Sequence, residues 1–184
     1  MSVNPMATTY THAVVGFGIA QIYTPGRLRW LYWTPAAFLA IFPDYDVFSS
    51  AAYGALMGHR GITHTLVFAL WIAFLVSSLT FRPLKANLWA LTGIFFLATA
   101  SHGLLDALTR GGMPIPFFWP LTDERFGNWG PIPVSDLGFE VPDPRRSRAL
   151  RSELFWLWMP TGFFIGALWI GRLIRRRLHS QVST

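Results

Sequence analysis

Four imidazoles and three carboxylates of this sequence, His12, Asp44, Asp46, His59, His64, His102 and Asp106, all fall at the same end of successive apolar segments. An ionisable group beside a hydrocarbon core is costly, so seven that converge on one membrane face read as a functional site. Imidazole mixed with carboxylate, with no cysteine in 184 residues, is a donor set for zinc, manganese or iron. The same absence excludes thiolate sites, disulfides and cysteine nucleophiles. Seven donors oversupply one tetrahedral ion, so the expected cofactor is a pair of divalent cations, zinc foremost, with three or four protein ligands each.

Local spacing assigns roles. His102 and Asp106 stand at i and i+4 in SHGLLDALT, on one helix face, where they can share a cation. In HRGITHT, Gly61 suits a turn and Thr63 is placed to cap a helix beginning near His64, so His59 and His64 approach one centre from a loop and a helix. Arg60 between them carries the guanidinium fork that clamps a phosphate. In FPDYD, Pro43 ends the second apolar segment and leaves Asp44 and Asp46 on an extended turn with alternate residues pointing the same way. That pair can bridge two cations or divide into a ligand and a general base, Asp46. His12, in TYTHAVVG, is the least distinctive alone. Each residue singly has a bland reading as packing or solvated surface. Jointly they do not, because only His179 among the histidines, and no carboxylate, falls at the other end.

The elements that must position these groups are membrane helices. The chain is 52% hydrophobic and 13% charged, a profile suited to one all-α domain over residues 1–184 immersed in lipid. Ile62 to Phe81, Ala86 to Leu108 and Leu154 to Ile174 are each near the roughly 20 residues a span needs. Residues 6–24 and Leu28 to Phe42 are shorter or interrupted and are expected as partial spans, giving a polytopic bundle of about five apolar helices. Alternating segments place Arg27, Arg29, Arg82, Lys85, Arg172, Arg175, Arg176 and Arg177 on one face, with all nine carboxylates on the other. The positive-inside rule makes the first face cytoplasmic, with the N-terminus outside and the basic tail 172–184 inside. That tail anchors at an anionic leaflet, and the net charge of +6 then needs no nucleic acid to explain it.

Thr109 to Glu153 is the main element outside the spans. Its Gly and Pro density argues for turns, and Phe117, Phe118, Trp119, Phe126 and Trp129 are too much aromatic surface to leave unburied, so a folded lid over the outer end is expected.

The early TH, PDYD, GHRGITHT, ASHGLLDALTRGG, the later FFWPLTDERF, PIPVSDLG and SELFWLW resemble the YdjM-type family of membrane-bound metal-dependent hydrolases over most of the chain. The resemblance implies a polytopic helical protein of the inner membrane with metal-dependent hydrolase activity. Carried over by position, it implies a site of His12, Asp44, Asp46, His59, His64, His102 and Asp106, with Arg60 and Glu153 as groups that support the ligands or meet the substrate. Thr63, next to His64, is a further candidate for a supporting place behind the ligands. Some members have a histidine directly after the PDxD element, where this chain has Val47, which makes its ligand set one histidine smaller. The site's depth beneath an aromatic lid makes a lipid or lipid-linked phosphoester the expected substrate, attacked by a metal-activated water. The rival reading is a metal transporter or sensor that takes the ion as cargo; a bis-histidine haem protein is disfavoured by histidines that cluster at helix ends beside carboxylates.

Overall fold

The computed structural model describes residues 8–23, 30–48, 55–109, 112–127, 129–130 and 150–182. Five α-helices carry the fold: α1 (Thr9–Ala20), α2 (Trp30–Ile41), α3 (Leu66–Thr80), α4 (Leu88–Leu108) and α5 (Met159–Val182). A π-helical turn, Leu154–Trp158, leads into α5. No β-strand occurs among the described residues, only an isolated antiparallel bridge between Ile115 and Phe126.

Two helices are long and apolar enough to cross a membrane, Leu88–Leu108 and the continuous Leu150–Leu178. With 12 residues each, α1 and α2 rise only about 18 Å and match the expected partial spans. The third apolar segment is shorter than its composition suggests, because α3 starts at Leu66, where the Thr65 side chain accepts the Phe68 N–H at 3.1 Å. The capping role expected of Thr63 therefore belongs to Thr65, and Thr63 is released for the site.

Small residues let α1 sit between α2 and α5. A Cβ added at Gly16 would lie 2.5 Å from Ala40 Cβ and 2.8 Å from the Ala36 carbonyl, and one at Gly18 would lie 2.5 Å from Thr161 Cγ2. Two residues apart on a helix point to nearly opposite sides, so these glycines admit α2 on one flank and α5 on the other. The apolar core runs from Tyr32, Ala36 and Leu39 of α2 through Ile72 and Ala73 of α3 to Leu91, Ile94, Phe95 and Ala98 of α4. The outward faces are apolar as well: Leu79 is 71% exposed and Phe163 73%, a distribution that fits acyl chains rather than water.

The described part of the expected lid is folded. Ile115 and Phe126 exchange backbone hydrogen bonds of 2.7 and 2.8 Å, Phe117 O accepts the Leu66 N–H at 3.0 Å, and the Trp129 N–H reaches Ala107 O at 3.0 Å. Buried Ile115 and Phe117 pack on Ala107 of α4, which pins this segment over the end of the bundle where α4 finishes. Residues 131–149, the remainder of the loop up to the start of Leu150–Leu178, lie outside the described residues.

Candidate metal centre

Five pieces of chain bring these residues together at one end of the bundle. α4 supplies His102 and Asp106 one turn apart near its C-terminal end, and α1 supplies His12. A 3₁₀ segment after α2, Phe42–Phe48, supplies Asp44 and Asp46. The loop before α3 supplies His59 and Arg60, and the short 3₁₀ turn Ile62–His64 supplies Thr63 and His64. The loop is shaped for this by backbone: Arg60 has φ 62°, a left-handed conformation that costs a non-glycine residue about 1–2 kcal/mol. At Gly61 any Cβ would collide with the carbonyls of Leu56 and Ala55, and one at Gly112 would collide with the Arg60 guanidinium.

Asp44, His64, His102 and Asp106 each place a nitrogen or carboxylate oxygen within 4.8 Å of the others. His102 Nε2 lies 3.1 Å from Asp44 Oδ1 and 3.9 Å from Asp106 Oδ2; His64 Nε2 lies 3.9 Å from each of those oxygens. His12 stacks on His102 with ring centroids 3.9 Å apart, and its Nε2 stands 3.5 Å from Asp106 Oδ1, so it lines the same chamber just outside the tight group. Among the described residues of this group the side chains are buried but for Asp44, which is 20% exposed.

These atoms crowd together without bonding one another. The Nε2 atoms of His12, His64 and His102, Asp44 Oδ1 and both oxygens of Asp106 are buried and in no hydrogen-bond geometry with the chain, although several are at ion-pair distance. Buried polar atoms are otherwise nearly always satisfied. Behind the chamber, His102 Nδ1 is 2.8 Å from Ala40 O, a carbonyl to which Pro43, three residues on, has no N–H to give. A ring nitrogen anchored on a carbonyl with the other aimed at carboxylates is how metal-binding histidines are held. Donors about 2.0–2.2 Å from a tetrahedral ion stand roughly 3.3–3.6 Å apart; the imidazole–carboxylate pairs given above are 3.1–3.9 Å apart, and the whole group lies within 4.8 Å. The residues therefore fit a divalent cation, and the two carboxylates Asp44 and Asp106 beside the one guanidinium of Arg60 leave negative charge to attract it.

Asp44 and Asp46 do not act side by side. The expected extended turn is a 3₁₀ helix, in which residues i and i+2 diverge by about 240°. Asp44 turns to His102, whereas Asp46 takes His59 Nδ1 at 2.6 Å and the Thr63 hydroxyl, with His64 Nδ1 at 3.2 Å. Burial alone would raise the Asp46 carboxyl, but hydrogen bonds from His59 and His64 outweigh it and hold the group well below the usual carboxylate range. Asp44 is lowered as well, burial being outweighed by His102. Burial pushes His64 down, against the hydrogen bond to Asp46, and so favours the neutral, ligating imidazole.

Two roles read from the sequence change with this geometry. The Asp46 carboxylate, expected as a general base, is already engaged by three side chains and only 6% exposed. The Arg60 guanidinium, expected to clamp a phosphate, is 2% exposed and held on Asp106 Oδ2 at 3.1 Å and on the Met113 carbonyl at 2.9 Å. Glu153 is fully buried but stands behind α1: it accepts the Thr8 N–H at 2.9 Å and the hydroxyls of Thr8 and Thr11 at 2.6 Å each, and Trp158 Nε1 adds a bond of 2.7 Å to Thr11. This braces the helix turn that presents His12 against the start of α5. The Ala40 carbonyl and Thr11 were not legible as site residues; Pro43 following Ala40 by three was the one available signal for the carbonyl.

The family description "YdjM inner membrane protein" matches residues 6–175. The chain belongs to this family. It is also 36% identical over 173 residues to the inner membrane protein YbcI of Escherichia coli (strain K12), covering 89% of this chain and 98% of that protein. No solved structure matches. A membrane protein of the YdjM family thus carries, at one end of its helical bundle, a His and Asp cluster able to hold a metal ion.

Proposed function

We propose that this protein is a metal-dependent hydrolase of the inner membrane, acting on a phosphoester of a lipid or lipid-linked molecule. The reading rests on one observation: buried imidazole nitrogens and carboxylate oxygens from separate elements converge on a common point without bonding one another. His64, His102, Asp44 and Asp106 would hold a divalent cation, zinc foremost, with His12 beside them. Bound there, the cation supplies Lewis acidity and a water activated near neutral pH. Asp44, the most open carboxylate of the cluster, marks the side from which an arriving headgroup would meet the cation's ligands. Arg60 serves through Asp106, fixing its orientation and offsetting its charge. Asp46 and Thr63 hold the imidazoles from behind.

A lipid substrate is supported by what surrounds the entrance. Tyr45, Val47 and Phe48 are 50, 58 and 82% exposed on the segment that carries Asp44, and Phe118 and Trp129 are exposed on the lid. Apolar and aromatic side chains next to a polar chamber suit headgroup depth, where a headgroup can enter while its chains stay in the bilayer. In this reading the bundle is multi-pass, the chamber lies at the outer boundary, and the tail from Arg172 is cytoplasmic.

The test is turnover by detergent-purified protein of a panel of phospholipid and polyprenyl phosphoesters, with and without zinc, manganese or iron. Metal-dependent release of phosphate or headgroup from at least one is expected. Metal binding with no turnover on any would replace the hydrolase reading with cargo or sensing.

A further inference from the structure

Asp46 stands behind the chamber rather than in it, and its hydrogen bonds fix a proton elsewhere. Its Oδ1 takes His59 Nδ1 at 2.6 Å, and its Oδ2 takes the Thr63 hydroxyl. The Thr63 hydroxyl has one hydrogen, and this bond uses it. Thr63 Oγ therefore faces His64 Nδ1, 3.0 Å away, as an acceptor, so the hydrogen between them belongs to the imidazole. Asp46 Oδ2, 3.2 Å from the same nitrogen, favours the same assignment. The opposite arrangement, with Thr63 donating to the ring, would leave two bare oxygens in contact. With Nδ1 protonated, the lone pair of neutral His64 lies on Nε2, which faces Asp44 Oδ1 and Asp106 Oδ2 at 3.9 Å each. A lone pair aimed at two carboxylates calls for positive charge between them, a metal ion or else a second proton on the ring.

We propose that Asp46, working through Thr63, is a positioning residue that locks His64 in its Nδ1-protonated form and so makes Nε2 a metal ligand, while the Asp46 cluster itself seats no second ion. His102 has the same device built with a backbone acceptor, its Nδ1 being 2.8 Å from Ala40 O. The two imidazoles that flank Asp44 are thus oriented from behind by different means, one by a carboxylate and hydroxyl pair and one by a carbonyl. Loss of such a supporting partner costs about 10–100-fold in metal affinity and leaves the ion count unchanged, whereas loss of a ligand removes the ion. The inference rests on the metal reading above and adds to it the number of ions and the role of Asp46.

Zinc titration of detergent-purified, metal-stripped protein tests it, with 15N-histidine spectra recorded on the same samples. Wild type is expected to take up one zinc ion per chain, with His64 resonances of the Nδ1-protonated form. Asp46→Asn is expected to keep one ion, weaken its binding by roughly 10–100-fold and disturb the His64 tautomer. Thr63→Val is a smaller perturbation that serves if Asp46→Asn folds poorly; a shift in the same direction is expected. Asp44→Ala is expected to lose the ion. Two ions in wild type and one in Asp46→Asn, the remaining affinity unchanged, would overturn the proposal and make Asp46 a ligand. Unchanged affinity and tautomer in both variants would overturn it with the metal reading intact. Absence of zinc from wild type would sink the metal reading itself, and this inference with it.

Discussion

At the end of the bundle away from the chamber, the fully buried Gln21 has its partners within the chain. Its amide donates to the Phe17 carbonyl at 3.3 Å and accepts the Trp169 indole at 3.2 Å, and its own backbone carbonyl takes the Arg172 guanidinium. Nearby, the Tyr32 hydroxyl donates to Leu84 O at 2.9 Å and Tyr23 accepts the Asn87 N–H at 3.0 Å. At the chamber end, His12, His64, His102 and Asp106 are buried about as deeply and Asp44 is mostly buried, yet they aim nitrogens and oxygens at one another without completing bonds. Most buried polar groups that serve only the fold are finished by the chain, Ser77 and Trp33 each leaving one isolated atom open, because each one left open costs about 1–3 kcal/mol. A cluster left open by several groups at once is kept for something that arrives later, which is how a binding site differs from a helix clamp.

The largest effect that would break this contrast is on His102. Replacing it with alanine removes a donor from the centre of the cluster, and zinc affinity is expected to fall by more than about 100-fold, beyond what a supporting residue contributes. Isothermal titration in detergent measures it, with Gln21→Leu as the counterpart that keeps wild-type affinity. Equal losses in both variants would erase the distinction between the two ends.

Much of that distinction was legible in the sequence, and what was not has a physical cause. Periodicity and length placed five helices close to where they stand, because α4 and α5 are long apolar runs and α1 and α2 are short ones ended by turn residues. That these four imidazoles and three carboxylates gather at one end of the bundle followed from their common place in the apolar segments, a property of the segment order alone. What failed was orientation inside short segments. Pro43 was read as starting an extended turn, but the chain continues as 3₁₀ helix, and a change from two to three residues per repeat sends Asp44 into the chamber and Asp46 behind it. Arg60 was read as a clamp because its type allows one; that it lies buried on Asp106 depends on Gly112, 52 residues away, which leaves room for the guanidinium. Contacts between distant segments leave no trace in local spacing.

The helix contact beneath the chamber offers a smaller effect. Gly16 lets α1 lie on Ala36 and Ala40 of α2, and Ala40 is also the residue whose carbonyl holds His102. Gly16→Val would force the helices apart at about 1–3 kcal/mol of stability, read as a lower melting temperature in detergent. Zinc affinity should fall as well, because α1 carries His12 and α2 ends at the segment bearing Asp44. Gln21→Leu, at the other end, should cost about 1 kcal/mol, the worth of ordinary hydrogen bonds, with no loss of affinity. A Gly16→Val protein that melted early yet bound zinc normally would show that the chamber keeps its shape independently of the helices beneath it.

The finest test uses protons in place of substitutions. His64 faces Asp46 and Thr63 through Nδ1, and Asp44, Asp106 and His102 around Nε2. Burial outweighs the nearby carboxylates and holds this imidazole below its ordinary value. The unfolded chain therefore takes up the proton first: stability from His64 is complete above about pH 6.5 and is lost as the pH falls below it. A His64 that stays neutral in the folded chain costs about 0.7 kcal/mol between pH 7 and pH 6. Asp44 and Asp46, held low in the folded chain, have the same sign, but their stability begins to drain only near pH 4, which keeps the two windows apart. Thermal unfolding of metal-stripped protein should show a steeper fall from pH 7 to pH 6 in wild type than in His64→Gln, while Gln21→Leu keeps the wild-type slope. Identical slopes in wild type and His64→Gln would mean that the imidazole takes up its proton in the folded chamber, and the lone pair assigned to the metal would then be occupied below pH 6.5.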